Sequence, residues 1–313
     1  MKTSTHFLQW LTVLLLLAVI VMDTMAQSPY PTSTPQSVCL NSTEPYGVIL
    51  TTGSTYAWSI SDPMAGTITG GATLNLITVN WTKPGNFTLQ VVETNQYFCI
   101  GNPVTIQIKV NPLAMIADKT PSAICSEDIF TISPVNNGTD IVPAGTTYTW
   151  SAPVVVGITG LASGSVAATI SGTLTNTTNA PINVVYNVTP TSGTCSGEVF
   201  TVTVTVNPKA TIVDKTPAAI CSGDGFTVSP VNGTDIVPAG TTYTWSAPVI
   251  AGITGLASGT DAATISGTLT NTTNAPINVV YTVTPTSGTC SGEVFTVTVT
   301  TYPQVKTSPI YHN

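Results

Sequence analysis

The stretch that decides the fold is Phe200-Thr201-Val202-Thr203-Val204-Thr205-Val206. Its apolar and polar residues alternate without a break, so one face is buried and the other meets water, as in a β-strand on the side of a core. Threonine suits the wet face because it is β-branched yet polar. The pattern recurs at Val104, Ile106, Ile108 and Val110, which alternate with Thr105, Gln107 and Lys109. Ile182 to Thr189 keeps Val184, Tyr186 and Val188 in step and reads as another strand. Turn-forming runs separate these segments: Asn137-Gly138, Pro143-Ala144-Gly145, Ser163-Gly164 and Thr191-Ser192-Gly193. No stretch beyond the first 26 residues has a helical period. Short strands broken by frequent turns favour an all-β sandwich.

The strand belongs to a repeat. GTTYTWSAPV occurs at 145–154 and 240–249, ISGTLTNTTNAPINVVY at 170–186 and 265–281, and VTPTSGTCSGEVFTVTVT at 188–205 and 283–300. The offset is 96 residues before the Asn136-Asn137 pair and 95 after it. A more divergent copy precedes these two, with Tyr56-Ala57-Trp58 in the place of Tyr148-Thr149-Trp150 and Tyr243-Thr244-Trp245. In each, Tyr and Trp share one strand face and are expected at the centre of a core with cysteine and apolar partners. Asn111-Pro112, Asn207-Pro208 and Tyr302-Pro303 close the three copies, since proline ends strand pairing. Setting aside the first 26 residues leaves about 95 per copy, close to the size of an immunoglobulin-like sandwich, about 100 residues. The segments after the first two closures, PLAMIADKTP and PKATIVDKTP, are short, so the joints are expected to be semi-rigid and the particle elongated.

Residues 1–26 read as a secretory signal. Lys2 supplies the positive start, Leu11 to Val21 an apolar stretch interrupted by Thr12, and Ala26 a small residue at the cleavage position. The apolar run is short for a bilayer span, and no later stretch could cross a membrane. No cysteine follows it directly, so a lipid anchor is not expected. Residues 27–37, rich in Ser, Thr and Pro, are expected to be a disordered leader.

An exported chain with an even number of cysteines suggests disulfides. The six are Cys39, Cys99, Cys125, Cys195, Cys221 and Cys290. Each copy holds two, 60, 70 and 69 residues apart, so the repeat suggests the pairs Cys39–Cys99, Cys125–Cys195 and Cys221–Cys290. Loops of that length would stabilise each copy by about 4 kcal/mol in the chain-entropy model. The spacings are far too long for a Cys-x2-Cys zinc site.

Composition excludes several functions. Only 7% of the 313 residues are charged, and the formal net charge is −7 with seven Lys and no Arg. Seven scattered lysines cannot make a nucleic-acid-binding face. The two histidines are His6, in the signal, and His312, at the next-to-last position. No histidine base, histidine metal ligand or Ser–His–Asp triad can therefore be built in the body of the chain.

The repeated strings resemble the PKD-like domains found in tandem in secreted and cell-surface proteins of Bacteroidetes. The resemblance covers most of residues 38–303. It rests on C-S-x-D/E, T-Y-T-W-S and the strings quoted above in the second and third copies. The first copy is similar to a sister type through Tyr56-Ala57-Trp58-Ser59, Gly66-Thr67-Ile68-Thr69-Gly70-Gly71, Val79-Asn80-Trp81 and Lys83-Pro84-Gly85-Asn86-Phe87-Thr88. It implies three tandem Ig-like (PKD-like) β-sandwich domains after a signal peptide: 1–26 signal, 27–37 leader, 38–111, 112–208 and 209–303 as the domains, and 304–313 as a tail. It also implies stalks, spacers or adhesive modules and no catalytic residues. Proteins of this kind often carry a C-terminal sorting domain, which the last residues, 309–313, do not resemble.

Candidate sites follow from the acids and aromatics. Asp118/Asp214, Asp128/Asp224, Asp140/Asp235 and Glu198/Glu293 recur in both close copies. A structural calcium ion at a joint would draw first on Asp118 with Glu127 and Asp128, or on Asp214 with Asp224. No D-x-D-x-D-G ligand loop supports it, so solvated loop acids are the favoured reading and no cofactor is expected. Paired carboxylates of a glycosidase would need a deep cleft, which small sandwiches do not offer. Trp58, Trp81, Trp150 and Trp245 are expected in cores, leaving Tyr30, Tyr46, Phe87, Tyr97, Tyr302 and Tyr311 as candidate sugar platforms. Asn-x-Ser/Thr sequons stand at Asn41, Asn80, Asn86, Asn137, Asn176, Asn187, Asn232 and Asn271.

The expected function is a non-enzymatic exported spacer or adhesive protein, secreted or at the cell surface, in contact with surface glycans or other extracellular proteins. A carbohydrate-binding accessory module of a secreted enzyme is the alternative, and a periplasmic subunit of an envelope complex a third. The oligomeric state is open.

Overall fold

A computed structural model describes residues 35–313 apart from Ala72, Lys306, Tyr311 and Asn313. The signal and residues 27–34 of the leader lie outside the described residues. Every regular element among the described residues is a strand. The chain forms two compact units, Met1–Pro112 and Leu113–Asn313.

The first unit packs two sheets face to face. One has the order Gln36–Cys39, Val104–Asn111, Gly85–Thr94, Thr55–Ile60, and the other Thr43–Gly47, Leu76–Trp81, Gly66–Thr69. The end of the expected disordered leader is thus a strand from Gln36 onward. It pairs parallel with the last strand, Gln36 opposite Ile108 and Cys39 opposite Asn111. The inward faces bury Trp81, Leu89, Ile108 and Val110. Trp81 stacks on Phe87 with ring centroids 6.0 Å apart and donates its indole N–H to the Tyr46 hydroxyl at 3.1 Å. Burial pushes the Tyr46 phenol up to about 12.

The second unit holds both close copies, strand for strand alike. In the first, the main sheet runs Gly164–Ala167, Thr147–Trp150, Ile182–Ser192, Phe200–Asn207, Ile124–Cys125, and Cys195–Ser196 turns back on Ile182–Ser192. Two small ladders, Ile129–Ile132 with Ile170–Thr173 and Ile158–Thr159 with Thr175–Asn176, accompany it. In the second copy the main sheet is Gly259–Ala262, Thr242–Trp245, Ile277–Ser287, Phe295–Tyr302, Ile220–Cys221. Phe200, Val202, Val204 and Val206 are all buried, as their alternation requires.

Tyr148 and Trp150 enter the core together, as do Tyr243 and Trp245. Each indole N–H still finds a carbonyl, Ala162 at 3.1 Å and Ala257 at 3.0 Å. The cross-strand neighbours of these tryptophans are Gly164 and Gly259. A Cβ at either would overlap the indole ring, so only glycine lets the tryptophan lie across the next strand. Trp58 departs from the pattern: it is half-buried and donates to the Leu74 carbonyl at 2.8 Å. The expectation that cysteines sit beside the aromatics at the core centres is not met, because they lie at the ends of the sheets.

Candidate functional site: the joint between the two repeats

The feature that organises the second unit is a cross-link between its two copies. Lys119 pairs parallel with Val202 near the start of Phe200–Asn207, and the chain then follows that strand to its far end, where Cys125 lies opposite Asn207. Cys195 sits in the hairpin just before the same strand begins. Seven residue steps of strand separate the two ends, about 23 Å. A disulfide needs Cα atoms closer than about 7 Å, so Cys125 and Cys195 cannot pair within their copy. The same layout separates Cys221, opposite Tyr302, from Cys290, and Cys39, opposite Asn111, from Cys99.

The expected pairing within copies is therefore corrected. Cys125 bonds Cys290 of the following copy, with Cα atoms 5.5 Å apart and 165 residues between them in sequence. The tail of one sandwich is fixed to the head of the next. Cys99 and Cys221, expected in disulfides, are exposed free thiols. Cys39 and Cys195 are not free.

Local chemistry brings the bonded ends together. After Cys125 the chain turns back, with the Asp128 N–H donating to the Cys125 carbonyl at 3.0 Å. The third turn residue, Glu127, has φ 71°, the left-handed conformation that favours glycine. The other copy has Gly223 there, at φ 96°. Glu127 keeps a side chain at that cost, and the side chain faces a partner: Lys209 Nζ lies 3.7 Å from both Glu127 Oε2 and Asp128 Oδ1. Lys209 belongs to the connector Asn207-Pro208-Lys209-Ala210. On its other side, a Cβ on Gly292 would strike the buried Ala210 carbonyl. That glycine lets the Cys290 hairpin rest against the connector.

Buried polar side chains hold the tail of each sandwich. Asn176 donates to the carbonyls of Ala180 at 2.8 Å and Val206 at 2.9 Å, and its oxygen accepts from the Thr178 N–H at 2.9 Å. Asn271 repeats this with Ala275, Thr301 and Thr273. Both asparagines stand in sequons and both are buried, so neither is placed to carry a glycan.

Of the acids singled out in the sequence, Asp118, Asp140, Asp214 and Asp235 are engaged within their own copies. Asp140 is buried, bonds Lys119 and accepts from the Ala117 N–H at 3.0 Å; the Lys119 contact holds its carboxyl below the usual range. Asp235 pairs with Lys215 at 2.6 Å. Asp118 and Asp214 accept from the Thr201 and Thr296 N–H groups at 2.7 Å, which lowers both. Asp224, Glu198 and Glu293 are exposed. The structure brings Glu127 and Asp128 together but places Asp118 at the opposite end of the strand from them. Among the described residues, no three His, Cys, Asp or Glu side chains converge on a point that could hold a metal ion.

Among the candidate platforms, Tyr46 and Phe87 are core residues, whereas Tyr97 and Tyr302 are exposed. Tyr30 and Tyr311 lie outside the described residues. Phe98 and Ile100, which the sequence did not single out, are exposed beside Tyr97. No helix among the described residues is long and apolar enough to cross a membrane.

These features define a class: tandem Ig-like β-sandwiches. The PKD-like domain model matches residues 122–210 and 218–305, more than half of the chain. The chain belongs to the PKD-like domain family. No match is found among curated proteins. Among solved structures it is similar to immunoglobulin domains 1–4 of Sidekick-1, at 11% identity and TM-score 0.30 over 88% of this chain and 75% of that one. It is also similar to the Bacteroides ovatus mixed-linkage glucan utilization locus protein SGBP-B, solved with a heptasaccharide, at 13% identity and TM-score 0.23 over 89% and 70%. An endo-fucoidan hydrolase of glycoside hydrolase family 107 matches at 14% identity and TM-score 0.26 over 87% of this chain, which spans 43% of that enzyme.

Proposed function

We propose that the chain is an exported, non-enzymatic structural protein that acts as a spacer or adhesive stalk. The observation that carries this is the Cys125–Cys290 bond, which ties one sandwich to the next. A bond inside a sandwich would stabilise a module; a bond between sandwiches fixes a joint. Lys209, with Glu127 and Asp128, adds an ion pair at the same place. Disulfide-bonded Ig-like modules fit an extracellular protein, and modules of this class are in general non-catalytic. The partners would be extracellular proteins or surface glycans. The joint acids face a lysine, so the proposal includes no metal.

A glycan array on the signal-free chain tests the reading. The spacer predicts no saturable glycan binding. Saturable binding that Tyr97→Ala abolishes would replace it with the glycan-binding alternative, for which Tyr97 and Phe98 are the exposed aromatic surface.

A further inference from the structure

We infer that Cys221 and Cys99 are the two open halves of the same tail-to-head cross-link, and that a second copy of this chain closes it, Cys221 of one copy bonding Cys99 of the next. The bonded pair within the second unit is the template. Cys221 lies opposite the end of the last strand, as Cys125 does in its copy. It opens the same turn, with the Asp224 N–H donating to its carbonyl at 3.0 Å. Cys125 is half-buried and bonded, whereas Cys221 is exposed and free.

Cys99 holds the complementary position. It precedes Ile100, which bridges Thr94 at the end of the long strand Gly85–Thr94. Cys290 likewise opens the return that pairs with the end of Ile277–Ser287. Cys290 is 1% exposed beneath its joint, while Cys99 is open to solvent.

The surfaces around the two thiols point to a covered interface. Tyr97, Phe98 and Ile100 flank Cys99 and are 75%, 88% and 77% exposed, where the close copies carry Ser-Gly-Thr before their cysteine and a serine after it. Large apolar side chains clustered on a surface mark an association site. At the other thiol, Tyr302 faces Cys221 across the strand pair and is half-exposed; the bonded copy has Asn207 there. Three exposed apolar side chains at the head and Tyr302 at the tail, each beside a thiol, would meet in a contact that repeats from copy to copy. Such a heterologous contact propagates instead of closing on itself.

The chemistry is thiol–disulfide exchange with a low-molecular-weight disulfide as oxidant. The Cys221 thiolate attacks one sulfur of the reagent; a mixed disulfide forms, the reagent's S–S bond breaks and one small thiolate leaves with the electron pair. The Cys99 thiolate of the second copy then attacks Cys221 Sγ, forming the interchain bond and expelling the second small thiolate. Two protein thiols are oxidised, one small disulfide is reduced, and the two protons go to the departing thiolates.

The experiment incubates the signal-free chain with reduced and oxidised glutathione and separates the products on a non-reducing gel. The expected result is a ladder of covalent oligomers that collapses to the single chain on reduction. Cys99→Ser alone and Cys221→Ser alone should each stay monomeric, and an equimolar mixture of the two should give one dimer and nothing larger. Both thiols are exposed, so neither change disturbs a core, and an unchanged melting temperature checks this. A wild type that remains monomeric, whether with two titratable thiols or with none, overturns the inference. So does a dimer from either single variant, or a mixture that gives no dimer. The inference rests on the joint and not on the spacer reading: glycan binding on the array would remove that reading and leave the ladder unaffected.

Discussion

Thr301 and Asn176 show how much a single side chain decides here. Thr301 occupies the place that Val206 fills in the other copy, fully buried, and its hydroxyl has no hydrogen-bond partner. A buried hydroxyl left unsatisfied costs about 1–3 kcal/mol. Thr301→Val should therefore stabilise the second unit by about 1 kcal/mol, read as a higher midpoint in urea. Asn176 is the opposite case, a buried amide with every group used. Asn176→Ala would take the side-chain donor from the buried Val206 carbonyl and the acceptor from the Thr178 N–H, and should cost about 1–3 kcal/mol in the same measurement. Neither role was legible in the sequence. Asn176 stands in a sequon among many, and Thr301 continues a threonine-rich run; only the register places one under a strand end and the other on the inward face. Tyr46 lies in a short strand with no alternation of its own, whereas Phe87 heads the alternation Phe87-Thr88-Leu89-Gln90-Val91, which places it inward with Leu89 and Val91. Trp81 packs against both rings.

At the scale of elements, the alternating strands were legible because a period of two leaves no freedom about which side faces the core. Phe200–Asn207 carries the pattern in full, and the aromatic pairs of Thr147–Trp150 and Thr242–Trp245 lie inward as read. Val104–Asn111 carries it only in its second half, where Ile108 and Val110 are buried; Val104, expected inward, is exposed at the end of the strand. What the pattern could not show was the parallel run of 119–125 beside the last strand, since a two-residue strand such as Ile124–Cys125 has no period. That run also contributes to the acid response. Asp118 and Asp140 fasten it to the sandwich, and Asp214 does the same in the second copy. All three carboxyls titrate below their unfolded values, so the folded state binds fewer protons than the unfolded one. Their contribution is complete above the ordinary carboxylate range, about pH 4, and is lost as pH falls through their lowered folded values. Calorimetry should find a melting temperature that is flat from neutrality to about pH 5 and falls below about pH 4. Asp140→Asn should flatten the acid limb.

For the whole molecule, the joint is what the reading of single modules missed. A repeat with two cysteines in each copy invites pairing within the copy, and nothing in the spacing reveals that both ends of one strand lie between them. The geometry moves the bond of Cys125 to the boundary. Cys125→Ser with Cys290→Ser should destabilise the second unit by about 5 kcal/mol in the chain-entropy model, seen as a lower unfolding midpoint. Chelation should do nothing: the melting temperature is expected to be the same in EDTA as in millimolar calcium, because Lys209 supplies the positive charge that Glu127 and Asp128 face. The lysines offer the most direct test of the joint itself. With no Arg in the chain, trypsin acting on the unfolded, unreduced protein releases 120–209, which holds Cys125 and Cys195, and 216–306, which holds Cys221 and Cys290. A bond between Cys125 and Cys290 predicts that these two fragments stay covalently joined and part only on reduction. Fragments that separate before any reductant is added would contradict it.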